Sequence, residues 1–264
     1  MAAAEAWWVY CVVPAERQLP DGLIGLAGGT PVAIAAGALA AVASPVPLDD
    51  YGGAPLREHL NDLDWLERMA RTHETVIERM LAGGTVVPVR VCTMYSSEDQ
   101  ITAMLGERAA ALEHTLSRLA HRSEWGVKAV VDRARLETHA VESNGLDVDL
   151  EGMQQGAAYI ARKRLAKRVR DESDRIVTSA VREAHAQLAG HATDAIVLPA
   201  QNRELSGYVG EMVLNAAYLV TEQEREVFAA LVHELDKRYD ELGFTLELTG
   251  PWPPYNFTRD DGDE

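Results

Sequence analysis

EMVLNAAYLVTEQEREVFAALVHELDKRYDELGFTLEL, residues Glu211 to Leu248, is the stretch whose reading decides the fold. Glu211 to Val220 reads as a strand rich in aliphatic and aromatic residues. Thr221-Glu222-Gln223-Glu224 has the spacing of a capping box and opens a helix running to about Leu242. Gly243 closes that helix, and Phe244 to Leu248 is again a strand. Upstream, Thr193 to Pro199 reads as a strand and Gln201 to Gly207 as a turn. A long amphipathic helix spans about Met153 to Ala189 and stops at Gly190. Before it, Glu137 to Gly152 is polar and loop-like, and Glu124 to Asp132 is one more strand. From residue 124 the order is therefore β, α, β, β, α, β. This is the split βαβ or ferredoxin-like order, an antiparallel sheet with two helices on one face.

The first half mixes its elements differently, and its order names no topology. Trp7 to Val13 is an unbroken apolar run. Strict alternation puts Trp7, Val9, Cys11 and Val13 on one face and Trp8, Tyr10 and Val12 on the other. Both faces are apolar, which fits a central strand covered on each side. Gly22 to Thr30 is a glycine-rich connector. Pro31 to Ala35 and Leu39 to Ser44 read as strands around Gly37, and Pro45 to Pro55 as a loop. A helix opens at Asn61 or Asp62 and runs to Ala82, with Gly83-Gly84 as its stop. Its apolar face carries Leu66, Met69, Ala70, His73, Val76, Ile77, Met80 and Leu81. Thr85 to Val91 is a strand, and Ser97 with Gln100 opens a helix to about Ala120. The expectation is an α+β protein of two domains, 1–122 and 123–250, the second ferredoxin-like. Residues 251–264 form an aromatic and proline-rich tail with a disordered acidic end.

Composition narrows the function classes. Forty-seven per cent of the 264 residues are apolar, enough for two real cores. The 41 acidic residues outnumber the 25 basic ones, for a net charge of −16. Such a chain repels phosphate polymers and anionic lipid unless it concentrates its cations. Neither a nucleic acid nor a lipid membrane is the expected partner. The charge suits handling of an apolar or basic partner, and it equally serves simply to keep the chain dispersed. Cys11 and Cys92 are not spaced as a redox pair and read as free thiols in a reducing cytosol. No basic stretch precedes an apolar run at the start, so a signal peptide is not expected. Pro31 to Val46 is interrupted by Gly37 and Pro45 and falls short of the roughly 20 apolar residues of a membrane span. A cytoplasmic, soluble protein is expected.

No catalytic constellation emerges. Gly28-Gly29-Thr30-Pro31 lacks the ending of a phosphate loop, and the nearby glycines lack the strand-glycine-helix order of a dinucleotide site. His73-Glu74 and His233-Glu234 lack the second histidine that would complete a zinc-binding helix face. No catalytic, cofactor-binding or metal-ligating residue is assigned, and no cofactor is expected. His73 lies on an apolar stripe, which suits a hydrogen-bonded core or interface histidine. Arg162, Lys163, Arg164, Lys167, Arg168 and Arg170 form the one basic cluster, on the long helix. It reads as a solvated face with local ion pairs to Asp171, Glu172 and Asp174, or as a docking surface for an acidic part of a partner. RNA binding is disfavoured because the neighbouring strands lack stacking aromatics. The tail, Gly250-Pro251-Trp252-Pro253-Pro254-Tyr255-Asn256-Phe257, is extended and packed with large rings. It must dock on its own chain, the favoured reading, or on a partner.

Taken in order, these segments resemble the F/L family of gas vesicle proteins over nearly the whole chain. The resemblance rests on Trp8-Val9-Tyr10, Ala40-Ala41-Val42-Ala43-Ser44, Trp65-Leu66, His73-Glu74-Thr75-Val76 and Val87-Pro88-Val89-Arg90. It continues through Glu124-Trp125-Gly126-Val127-Lys128, Gly156-Ala157-Ala158-Tyr159-Ile160 and the closing Gly-Pro-Trp-Pro-Pro-Tyr-Asn-Phe. After the Pro-x-Arg strand the family usually has Phe-Gly-Thr, whereas this chain has Val91-Cys92-Thr93. The resemblance implies a non-enzymatic assembly factor or minor structural protein, cytoplasmic or on the gas vesicle. Its implied partners are the hydrophobic shell protein, which it would keep from aggregating during nucleation, and other gas vesicle accessory proteins. A stable wall component is the alternative, and a ferredoxin-like ligand- or RNA-binding regulator a more distant one. Candidate contact residues are His73, Arg162, Lys163, Arg164, Lys167, Arg168, Trp252, Tyr255 and Phe257.

Overall fold

The computed structural model describes residues 4–146, 154–200 and 210–258. The chain divides into two compact units, 1–124 together with 251–264, and 125–250. The aromatic tail is thus part of the first unit rather than a separate appendage.

In the first unit, β1 (Glu5–Pro14), β2 (Val32–Ala36) and β3 (Leu39–Pro47) are followed by two short helices, α1 (Leu48–Tyr51) and α2 (Gly53–His59). Then come α3 (Leu63–Leu81), the two-residue strands β4 (Val87–Pro88) and β5 (Met94–Tyr95), α4 (Glu98–Glu107) and α5 (Ala109–Leu119). The sheet order is β2-β3-β1-β4, with β5 also on β1, and the pairs are antiparallel. The central strand is β1, as its two apolar faces require. α3 supplies Met69, Val76, Ile77 and Met80 to the core on one face, and α4 and α5 pack against the sheet with Ile101, Leu105, Leu112 and Leu116 buried.

Strict alternation along β1 is broken by a bulge between Val9 and Cys11. An extra residue moves everything beyond it to the other face. Trp8, Tyr10, Cys11 and Val13 therefore share the core with α3, correcting the alternating assignment of Cys11 and Val13 to the face of Val9. Three further differences have local causes. The expected loop at 45–55 holds the end of β3, all of α1 and the start of α2, since Pro55 sits in the first turn of α2, where no amide is needed. The strand at 85–91 shrinks to Val87–Pro88 because the chain turns at Arg90, whose carbonyl accepts both the Thr93 amide (3.2 Å) and hydroxyl (2.7 Å). The helix at 97–120 breaks at Arg108, which leaves the helical conformation.

The second unit is built from β6 (Arg122–Val131), α6 (Arg133–Asn144), α7 (Gln155–Gly190), β7 (Asp194–Val197), β8 (Glu211–Thr221), α8 (Arg225–Tyr239) and β9 (Phe244–Trp252). The strand order β7-β8-β6-β9 is that of a ferredoxin-like sheet. Val127, Val131, Tyr218, Phe228, Val232 and Phe244 form its core with Ala184 and Leu188 of α7. α6 replaces the first half of the loop expected at 137–152. Asp132 caps its start, accepting the Ala134 amide at 2.9 Å, and Gly145 ends it in the left-handed conformation. The expected turn at Gln201 to Gly207 lies outside the described residues.

Candidate partner-binding site

His73 is completely buried. The Trp8 indole, which can only donate, gives its Nε1–H to His73 Nδ1 at 2.9 Å. Nδ1 is therefore the bare nitrogen, and Nε2 carries the proton and donates it to the Val89 carbonyl at 3.0 Å. Burial pushes the imidazole pKa down to about 4, against the opposing pull of the Val89 carbonyl. The ring is neutral at pH 7 and ties β1, α3 and the segment after β4 together. Its place on the apolar stripe of α3 puts it in the core, so it is not a surface contact residue.

The tail folds back onto the first unit. Tyr255 donates its hydroxyl to Glu74 at 2.9 Å, and the Asn256 amide donates to Glu124 at 2.9 Å. The Asn256 side-chain amide donates to the other oxygen of the Glu124 carboxylate, and Arg118 donates to the Phe257 carbonyl. Burial raises the pKa of both carboxylates, and these hydrogen bonds pull each back down. Tyr255 packs on the first core and Phe257 is 1 % exposed, so Phe257 is also removed from the contact surface. Trp252 is different, with 43 % of its surface open.

The basic residues sit on the first half of α7. Arg162, Lys163, Arg164, Lys167, Arg168 and Arg170 are all exposed. Tyr159 and Ile160 beside them are 60 % and 52 % exposed, and the Lys163 ammonium lies 5.6 Å from the Tyr159 ring centroid. The nearby acids are engaged elsewhere: Glu172 pairs with Arg175 and Asp174 with Arg133, both at 2.7 Å. None of the six cations forms an ion pair with a described residue. The local pairing expected for this face is therefore not what the side chains do. Sequence reasoning found the cations but did not single out Tyr159 and Ile160 as surface groups, although their i+3 and i+4 neighbours Arg162, Lys163 and Arg164 put both on the polar side of the helix.

Among the described residues, no group of three or more histidine, cysteine, aspartate or glutamate side chains is placed to hold a metal ion. The Cys11 thiol is buried and its pKa is pushed upward by that burial. Among the described residues, no helix is long and apolar enough to cross a membrane.

The architecture defines the class first. Over 98 % of both chains, the fold matches the crystal structure of the gas vesicle protein GvpF from Anabaena sp. PCC7120, with a TM-score of 0.71 at 17 % identity. GvpF from Microcystis aeruginosa matches over 96 % of this chain and 99 % of its own, with a TM-score of 0.68 at 18 % identity. At such identities these likenesses establish the α+β fold with antiparallel sheets. The sequence then establishes the family: residues 6–259 match the gas vesicle synthesis protein GvpL/GvpF family, and the chain belongs to it. It is 34 % identical to gas vesicle protein L of Streptomyces sp. (strain CB03234), over 97 % of this chain and 94 % of the relative. Against gas vesicle protein F of the same strain the identity is 27 %, over 84 % and 85 %.

Proposed function

We propose that this protein is a non-enzymatic assembly factor that binds the hydrophobic gas vesicle shell protein and keeps it from aggregating while a vesicle nucleates. The observation that carries the reading is the exposed first half of α7. There an otherwise acidic chain gathers six cations next to exposed Tyr159 and Ile160, with no internal charge partners among the described residues. A self-associating subunit needs an escort that offers apolar contact while charge keeps the pair dispersed. Arg162, Lys163, Arg164, Lys167 and Arg168 supply steering toward an acidic part of the partner, and Tyr159 and Ile160 supply contact area. Exposed Trp252, with half-buried Tyr255 three residues on, supplies a second contact patch. Other gas vesicle accessory proteins are further partners for the same surfaces. The protein works in the cytoplasm and at the vesicle.

Co-expression with the shell protein tests this. The expected result is soluble shell protein recovered in a complex, lost when Arg162, Lys163, Arg164, Lys167 and Arg168 are all changed to glutamate. Equal aggregation with and without this chain, and no complex, would sink the proposal. A stable place in the wall is the rival reading. It requires the protein to persist in washed vesicles, from which an escort is depleted.

A further inference from the structure

We infer that this protein pairs with a second copy of itself through the outer edge of β2, the two strands meeting antiparallel about a two-fold axis at Ile34. β2 ends its sheet and, among the described residues, pairs only with β3. Gly37, at a φ of 62°, opens the two-residue turn Gly37-Ala38, with Ala36 and Leu39 as the partners that flank it. In such a hairpin the flanking pair exchanges hydrogen bonds, and inward-bonded and outward-facing residues alternate from there. Ala36, Ile34 and Val32 therefore bond to β3, while Ala33 and Ala35 turn their N–H and C=O groups outward. Both alanines are exposed, and these outward groups meet no partner among the described residues.

Edge strands are normally protected by charge, proline, a bulge or brevity. The other strands at the sheet ends follow that rule. β4 and β5 have two residues each, β7 has four and begins on Asp194, and β9 carries Glu247 and Pro251. β2 has five residues, Val-Ala-Ile-Ala-Ala, in unbroken register with β3. Gly22 to Leu48 holds no charged side chain, in a chain of which 25 % is charged.

The edge fits a copy of itself. Ala33 would lie opposite the second copy's Ala35, and Ala35 opposite its Ala33. Both are then pairs of the hydrogen-bonded kind, each exchanging two bonds. The strand is self-complementary, as a two-fold interface requires. Alanine faces alanine, and the hairpin brings no charge against its mate. The net charge of −16 on each copy still repels at a distance, and salt screens that repulsion. The inference does not depend on the proposed function. A pair offers two copies of each contact surface, so a partner with repeated sites is held by avidity.

Sedimentation equilibrium of the full-length protein, with hydrogen exchange at the Ala33 and Ala35 amides, tests the pairing. A monomer–dimer equilibrium is expected between about 1 and about 500 µM, with both amides exchanging more slowly as the dimer forms. Raising NaCl from about 20 to about 300 mM should strengthen the dimer. Ala33→Pro and Ala35→Pro each remove an outward N–H, and with it half of the new bonds, but leave the ladder to β3 intact. Each should weaken the dimer about tenfold or more without lowering the melting temperature, whereas Ile34→Pro, which removes an inward N–H, should lower it. Monomer throughout that range, a dimer indifferent to both outward prolines, a dimer weakened by added salt, or amides that exchange equally fast in monomer and dimer overturns the inference.

Discussion

Replacing His73 by leucine tests how the first unit is held together. The substitution keeps an apolar group of similar bulk in a fully buried place. It removes the acceptor of the Trp8 indole N–H and the donor to the Val89 carbonyl. The stranded, buried indole N–H costs about 1–3 kcal/mol and the part-buried Val89 carbonyl less, so the variant should lose about 1–4 kcal/mol at pH 7. The histidine also sets a pH dependence. Its folded pKa of about 4 lies below the unfolded value of 6.5. The unfolded chain therefore takes up the proton first as pH falls. The stabilisation is intact above about pH 6.5 and is lost progressively toward pH 4, about 3 kcal/mol in all. Between pH 7 and pH 5 the wild type should lose about 2 kcal/mol from this residue.

Glu74 and Glu124 act in the opposite sense. Their folded pKa values are raised, so the native state binds protons before the unfolded chain does and gains stability as pH falls. Their contribution is common to wild type and variant and cancels in the comparison. Urea unfolding followed by tryptophan fluorescence suits the measurement, since Trp7, Trp8, Trp65 and Trp252 belong to the first unit and only Trp125 to the second. The reasoning is refuted if His73→Leu costs less than 1 kcal/mol at pH 7, or if it keeps the full acid sensitivity of the wild type.

Two other substitutions probe the same unit. Tyr255→Phe removes the hydroxyl held by Glu74 and should cost about 1–2 kcal/mol. Limited proteolysis should clip the variant tail faster, and an unchanged clipping rate would show that the tail is not held by this bond. Gly25→Ala would drive a methyl group into the Tyr10 hydroxyl and within 2.6 Å of Ser44 Oγ. That hydroxyl accepts the Leu26 amide at 2.8 Å and bonds Ser44 at 2.7 Å. A loss of about 1–3 kcal/mol is expected from thermal unfolding, and an unaltered melting temperature would contradict the packing described.

The second unit was the more legible half because its signals are local. A capping sequence, a glycine stop and apolar runs of strand length mark α8, β8 and β9 directly. Connection rules leave few strand orders once the order of elements is known, and β7-β8-β6-β9 is among them. α6 escaped because its only fully buried apolar residues are Leu136 and Ala140, too narrow a stripe to register as a helical period. The first unit was harder for a related reason. A bulge in β1 defeats any argument from alternation, and β4 and β5 are too short to carry a pattern of their own. The tail could be read as needing to dock. Its anchors, Glu74 and Glu124, lie about 180 and 130 positions from it in the chain, and no local spacing reveals them. His73 appeared both as a core histidine and as a contact candidate, and only the positions of Trp8 and Val89 decide between them.

α7 explains why the same chain presents both a well-packed sheet and an exposed basic surface. At 36 residues it is about 54 Å long. Its second half buries Ser173, Ala180, Ala184 and Leu188, whereas its first half buries only Ala158 and Val169. The sequence enforces that division. Burying a face that carries Arg162, Lys163, Arg164, Lys167 and Arg168 would strip water from cations that no described residue pairs, at a cost apolar contact does not recover. The acids that follow could have neutralised them, but Asp174 is drawn to Arg133, which also holds Glu211 through two nitrogens at 2.6 and 3.0 Å. That network joins α6, α7 and β8, so the charges that stabilise the ferredoxin-like unit are the ones withheld from the basic face. Among the described residues, the basic face stays open to solvent because Glu172 and Asp174 are used in pairs with Arg175 and Arg133.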